Sequence, residues 1–184
     1  MTKATKIEFA DILIAALTAT KATSAENAKK KSALALQLRN ARIADFLESS
    51  KVKASDFNDL YLAEKVIKAA DALTRDAHVS DYNVNTFVAL KTAILCADAA
   101  CDLTRSQMRA TCNADKISAE LEKVTYRRAS FNRAISTKRQ EDLNIRLLEC
   151  LNIVSAKDSK EILKLDVESV ALDAARNKIS SMTL

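Results

Sequence analysis

Apolar residues recur along this chain at intervals of three and four, the spacing that lays one face of an α-helix against a core. Phe9, Leu13, Ala16 and Leu17 form such a face and predict a first helix over about 6–19. Leu36, Ile43, Phe46 and Leu47 carry the pattern through a long second helix over about 25–48, and Phe57, Leu60, Tyr61, Ile67, Ala70 and Leu73 through a third over about 56–77. The fourth, about 84–103, is nearly apolar all round Leu90, Ile94 and Ala97, so it is the expected central, buried helix. A short helix near 105–111 follows, then a fifth over about 115–135, a sixth over about 138–154 and a seventh over about 159–179.

That seventh segment carries two apolar stripes, Ile162, Leu165, Leu172 and Ile179 on one side and Leu163, Val167 and Val170 on another. A helix that is apolar on two sides must bury both. Leu163, Val167 and Val170 are therefore the candidate self-association residues.

Capping chemistry marks the helix starts: a side-chain oxygen accepts from an orphan backbone N–H, and an acid or amide three residues on reaches back. Thr23 with Glu26, Thr104 with Gln107, Thr137 with Gln140 and Ser155 with Asp158 have that spacing; Ser55-Asp56 and Asn113-Ala114-Asp115 are simpler cap signals.

Composition sharpens this picture. The 184 residues include no glycine and no proline, where average usage gives about 13 and about 9. Without glycine the tight phosphate loops, nucleophile elbows and primed hairpin turns have no residue suited to their positive φ. Without proline no helix is interrupted. The expected fold is all-α: a single-domain bundle over residues 1–184, of about six to seven helices joined by short polar turns. Asn85 or Asn113 are the residues available for left-handed positions.

The apolar run from Ile12 to Thr20 is far short of the roughly 20 residues of a membrane helix, and Glu8 and Asp11 break any signal-peptide core. Four unevenly spaced cysteines (Cys96, Cys101, Cys112, Cys150) suit buried thiols in a reducing compartment better than a disulfide framework. A cytoplasmic product, or one within a host cell or virion, neither secreted nor membrane-bound, is expected.

Catalytic parts are scarce. The one histidine, His78, lies in a polar connection with no nucleophile motif beside it. Cys96 and Cys101 are five residues apart, about 140° around a helix, so they do not converge on a metal. Asp98 with Asp102, and Asp56 with Asp59, share helical faces but lack a ligand loop, which makes them solvated or capping groups. No enzymatic activity, cofactor, metal or small-molecule ligand is indicated.

Charge is more informative. Residues 1–53 carry ten Lys/Arg against five acids, 54–104 four against eight, 105–146 ten against five, and 147–184 five against six. In the first block Lys29, Lys30 and Lys31 lead to Arg39 and Arg42. In the third, Lys116, Lys123 and Arg127 share a helical face, with Arg128, Arg133, Lys138 and Arg139 close behind. Arg128 alone falls in line with Val124 and Phe131 on the apolar side, which marks it for a buried or intersubunit ion pair. Such basic faces bind phosphates without reading sequence, or pair with the chain's own acidic block. Aromatic residues make up 4%, too few for base stacking.

These features point first to a non-enzymatic assembly protein of viral or phage type, a helical building block or scaffold whose partner is itself or another protein. The alternative is a sequence-tolerant nucleic-acid-binding protein for packaging, coating or replication. A small helical inhibitor or adaptor is compatible with the same features and is predicted by no particular residue.

Overall fold

In the computed structural model, which describes residues 3–19, 21, 23–77, 81–105, 108, 138–156 and 161–179, the helical periodicity of the sequence resolves into seven α-helices and one small sheet. The helices are α1 (Lys3–Ala19), α2 (Ala25–Leu38), α3 (Ala41–Ser49), α4 (Leu60–Thr74), α5 (Val84–Asp98), α6 (Lys138–Cys150) and α7 (Val170–Ile179), with a 3-10 turn at Ala54–Asn58. The bundle of about seven helices expected from the sequence is present. The predicted fifth helix, the short helix near 105–111 and His78 lie largely or wholly outside the described residues.

Short polar residues start the helices, but often not those the sequence singled out. Ser24, not Thr23, caps α2 by accepting from Asn27 N–H at 3.1 Å. The long second helix is in fact two, because the chain turns at Arg39 and Asn40 and the Asn40 side chain caps α3 through Arg42 N–H at 3.1 Å. Asp59 caps α4, and Asn83 caps α5. Tyr82, just before that cap, packs edge-on against Phe87 four positions beyond it, with ring centroids 5.9 Å apart, and its hydroxyl donates to Ala72 O at 3.2 Å. This staple fixes how the chain leaves α4 and enters α5.

The core draws on all seven helices. From Thr86 to Cys96 every residue of α5 is buried, as its apolar sequence predicts. The price of that burial is Lys91, whose ammonium donates to Ile179 O at 3.1 Å, at the negative end of α7. Leu13, Leu17, Ile43, Phe46, Leu47, Phe57, Ile67, Ala70 and Leu73 are core residues as expected. Leu36 and Tyr61 are not. The break at Asn40 turns α2 so that Leu34 and Leu38 face inward and leaves Leu36 71% exposed, and Tyr61 is 56% exposed on α4.

The largest departure is at the end of the chain. The predicted seventh helix is a strand followed by a shorter helix. Leu103–Thr104 (β1), Val154–Ala156 (β2) and Ile162–Leu165 (β3) form an antiparallel sheet in the order β1-β3-β2, with Leu103 opposite Leu163 and Val154 opposite Leu165. Thr104 and Ser155, which carry cap-like spacing in the sequence, therefore sit in strands. Asp166 separates β3 from α7: its carboxylate accepts from Glu168 N–H at 3.1 Å and its carbonyl from Ser169 N–H at 3.1 Å. Ser169 then starts α7, with its carbonyl accepting from Asp173 N–H at 3.0 Å. The residues of the two apolar stripes are thus divided among a strand, a turn and a helix, which bury Leu163, Leu172 and Ile179 and leave Val167 and Val170 exposed.

The helix ends answer how a chain without glycine turns. Lys51, Ala100 and Asn152 take φ of 56°, 51° and 51°. Each closes a Schellman motif on α3, α5 and α6: Val52, Cys101 and Ile153 N–H donate to Leu47, Cys96 and Leu148 O at 3.0, 2.9 and 2.9 Å. The left-handed positions expected at Asn85 or Asn113 fall elsewhere; Asn85 is inside α5 and Asn113 lies outside the described residues. Asn152 contributes a second function, donating to Ser50 O at 2.6 Å and Lys51 O at 3.2 Å, which ties the α3 and α6 ends together.

Candidate interaction surfaces

The acidic block at 54–104 is used inside the molecule. Its carboxylates make ion pairs, four of them to other parts of the chain: Glu64 to Lys30 at 2.6 Å, Asp59 to Arg146 at 2.8 Å, Asp98 to Arg176 at 3.1 Å and Asp76 to Lys178 at 2.9 Å. Asp71 and Asp81 both engage Arg75. Burial alone would raise the Glu64 carboxyl, but hydrogen bonds from Lys30 and Lys68 outweigh it and hold the group below its ordinary value. Asp59 is likewise held low by Arg146 and the N–H groups of Leu62 and Tyr61, against the opposing effect of burial. Asp56 accepts from Lys53 N–H at 3.2 Å. The paired aspartates of the sequence are thus helix caps and ion-pair partners, and Asp98 and Asp102 share no helical face because α5 ends at Asp98.

These pairings divide the first basic block. Lys30 lies over the Tyr61 ring, 5.4 Å from its centroid, and is committed to Glu64. Lys31 is buried. Lys29, Arg39 and Arg42 are exposed and have no ion-pair partner among the described residues. In the second basic block, Lys138 and Arg139 open α6, whereas Lys116, Lys123, Arg127, Arg128 and Arg133 lie outside the described residues. A partly buried pair of the kind expected of Arg128 is made by Arg105, which donates to Asp142 at 2.6 Å and to Glu141 at 3.3 Å; the Glu141 side chain is 2% exposed.

Of the proposed self-association residues, Leu163 faces the core from β3, so it is not available to a partner. Val167 is 60% exposed within the Asp166–Ser169 turn, and Val170 is 46% exposed at the first position of α7. That turn is held from below, since Asp166 N–H donates to Ile153 O at 2.9 Å and the Ser169 hydroxyl to Leu151 O at 3.4 Å.

Two clefts hold side chains with shifted protonation. One, of about 200 Å³ between α4 and the start of α5, includes Lys65, Lys68, Tyr82 and Asn83. Burial drives the Lys65 ammonium down to about 8, and its Nζ donates to Asn144 Oδ1 at 3.1 Å. The sequence did carry a signal for Lys65 and Lys91: each lies three or four residues from apolar neighbours, Leu62 and Ala69 in one case, Phe87 and Leu95 in the other. The second cleft, about 180 Å³, is lined by Lys51, Lys53, Asp56, Arg146 and Cys150 among others. Burial, then the nearby Asp56 carboxylate, pushes the Cys150 thiol up to about 12, which leaves it unreactive.

Cys96 and Cys101 do meet. The helical angle between them does not apply, because α5 stops at Asp98 and the left-handed Ala100 folds Cys101 back under the last turn, where its N–H donates to Cys96 O at 2.9 Å. No protein-family model, curated protein or solved structure matches the chain. No described helix is long and apolar enough to cross a membrane.

Proposed function

We propose that this chain is a non-enzymatic structural protein that assembles with further copies of itself through protein–protein contacts. The observation that carries the reading is the pair of exposed valines, Val167 in the Asp166–Ser169 turn and Val170 at the start of α7, beside hydrogen bonds that tie the turn to the core beneath it. A rigid apolar projection loses little conformational entropy when a partner covers it. Alternating charge blocks play a smaller part than the sequence suggests, because most of the acidic block is already paired within the chain. Light scattering on the eluting protein tests the reading. A mass that is a multiple of 20.2 kDa, falling to 20.2 kDa in Val167→Asp/Val170→Asp with helicity kept, supports it. A wild-type chain that is monomeric at every concentration removes it and leaves the inhibitor or adaptor reading.

Nucleic-acid binding is the second reading, favoured by the exposed and unpaired Lys29, Arg39 and Arg42. If it holds, protein purified at low salt carries material absorbing at 260 nm that dissociates at high salt, and replacing the three residues by Ala weakens binding and flattens its salt dependence.

A further inference from the structure

The end of α5 repeats the ends of α3 and α6 in its backbone but not in its side chains. In a Schellman motif the residues joined by the outer hydrogen bond touch through apolar side chains. At α3 they are Leu47 and Val52, and at α6 Leu148 and Ile153. At α5 they are Cys96 and Cys101. Aliphatic pairs complete this cap twice in the same chain, so the cap itself does not call for two thiols. The Cys101 N–H bond to Cys96 O at 2.9 Å holds the residues side by side, with Cys96 in the core and Cys101 packed against it. Residues bonded across such a cap have their side chains within contact range, and contact range is what a disulfide requires. Access differs between them: Cys96 is fully buried and Cys101 partly exposed.

We propose that Cys96 and Cys101 are an oxidisable dithiol, closed by a hydroperoxide into an intramolecular disulfide across the C-cap of α5. Cys101, the accessible sulfur, reacts first as its thiolate. It attacks one oxygen of the peroxide, the O–O bond breaks, the leaving oxygen departs as an alcohol or water with the proton, and Cys101 becomes a sulfenic acid. The Cys96 sulfur then attacks the sulfenic sulfur. The S–S bond forms, the S–O bond breaks, and the hydroxyl leaves as water with the Cys96 proton. Two thiols are oxidised by two electrons in total, and the peroxide is reduced. Burial disfavours the Cys96 thiolate, and contact with Cys101 offsets this by making the second step intramolecular. The product fixes the path from α5 into β1, which begins two residues later at Leu103.

The test uses the full chain treated with hydrogen peroxide, alkylated with iodoacetamide and digested with trypsin. Cleavage after Lys91 and Arg105 gives one peptide, residues 92–105, that carries both cysteines. The expected product is this peptide lacking two hydrogens and carrying no alkyl group, restored to the doubly alkylated form when the protein is first reduced with dithiothreitol. In Cys96→Ser the second step is lost, and a dimedone adduct should accumulate on Cys101 well above its wild-type level; circular dichroism checks that the variant is folded. Equal dimedone labelling of wild type and folded Cys96→Ser overturns the proposal. So does a Cys101 sulfinic acid, or a Cys101 disulfide to any other cysteine, as the main wild-type product. In Cys101→Ser, Cys96 should resist peroxide, and its ready oxidation would overturn the order of attack.

Discussion

Ala100 shows what the absence of glycine costs. A left-handed alanine is disfavoured by roughly 1–2 kcal/mol because its Cβ crowds the following carbonyl. Ala100→Gly removes that strain, partly offset by about 0.5 kcal/mol of extra freedom in the unfolded chain. It should raise stability by up to about 1 kcal/mol, read from the urea midpoint. Asn152→Gly, at a position with the same backbone, should do the reverse and lose about 1 kcal/mol or more, because Asn tolerates φ of 51° and its side chain bonds Ser50 and Lys51. Lys65 makes the second prediction at this scale. Its amine titrates at about 8 in the folded chain against 10.5 unfolded, so between these values the unfolded state holds more protons and stability rises with pH. The penalty is fully present below pH 8. Over the window the gain is up to about 3 kcal/mol, and Lys65→Met should flatten it without abolishing it, since burial also lowers Lys91. Tyr82, pushed up to about 12 by burial, opposes the trend only above pH 10.

Among the elements, the junction between β1 and α6 depends on a single arginine. Arg105 leaves β1 and answers the buried Glu141 in the first turn of α6. Arg105→Ala removes one charged partner of that buried carboxylate and should cost about 1–3 kcal/mol by denaturant titration; adding Glu141→Gln to the variant should recover part of the loss. The same junction explains why the small sheet escapes a reading of periodicity. Its strands are two, three and four residues long, and Ile162-Leu163-Lys164-Leu165 fits a helical stripe as well as a strand. The Asp166 and Ser169 turn was legible in principle, since both side chains are turn and cap formers. It was hidden because the apolar residues on either side line up at helical spacing.

For the whole molecule, the four ion pairs from α2, α6 and α7 onto the acidic segment orient the bundle more than they hold it together. Each is at least partly exposed, so Lys178→Ala or Arg176→Ala should cost under about 1 kcal/mol, and less at high salt. Apolar burial carries the stability instead. Charging Val167 and Val170 should lower the mass in solution and keep the helical content, whereas charging Leu163 should unfold the chain, since it faces the core from β3. The exposed cations Lys29, Arg39 and Arg42 were visible in the sequence, but that Lys30 is paired and Lys31 buried was not.

The sequence by itself determined that this is a helical bundle, that α5 lies at its centre and that its turns are built without glycine. These properties are local: apolar spacing, helix propensity and the residues missing from the composition act over a few positions at a time. Only the tertiary structure decided which cations face water, that the last predicted helix divides into β3 and α7, and that Cys96 meets Cys101. Each of those depends on a partner distant in sequence or on a left-handed turn at an alanine, and neither leaves a periodic trace in the chain.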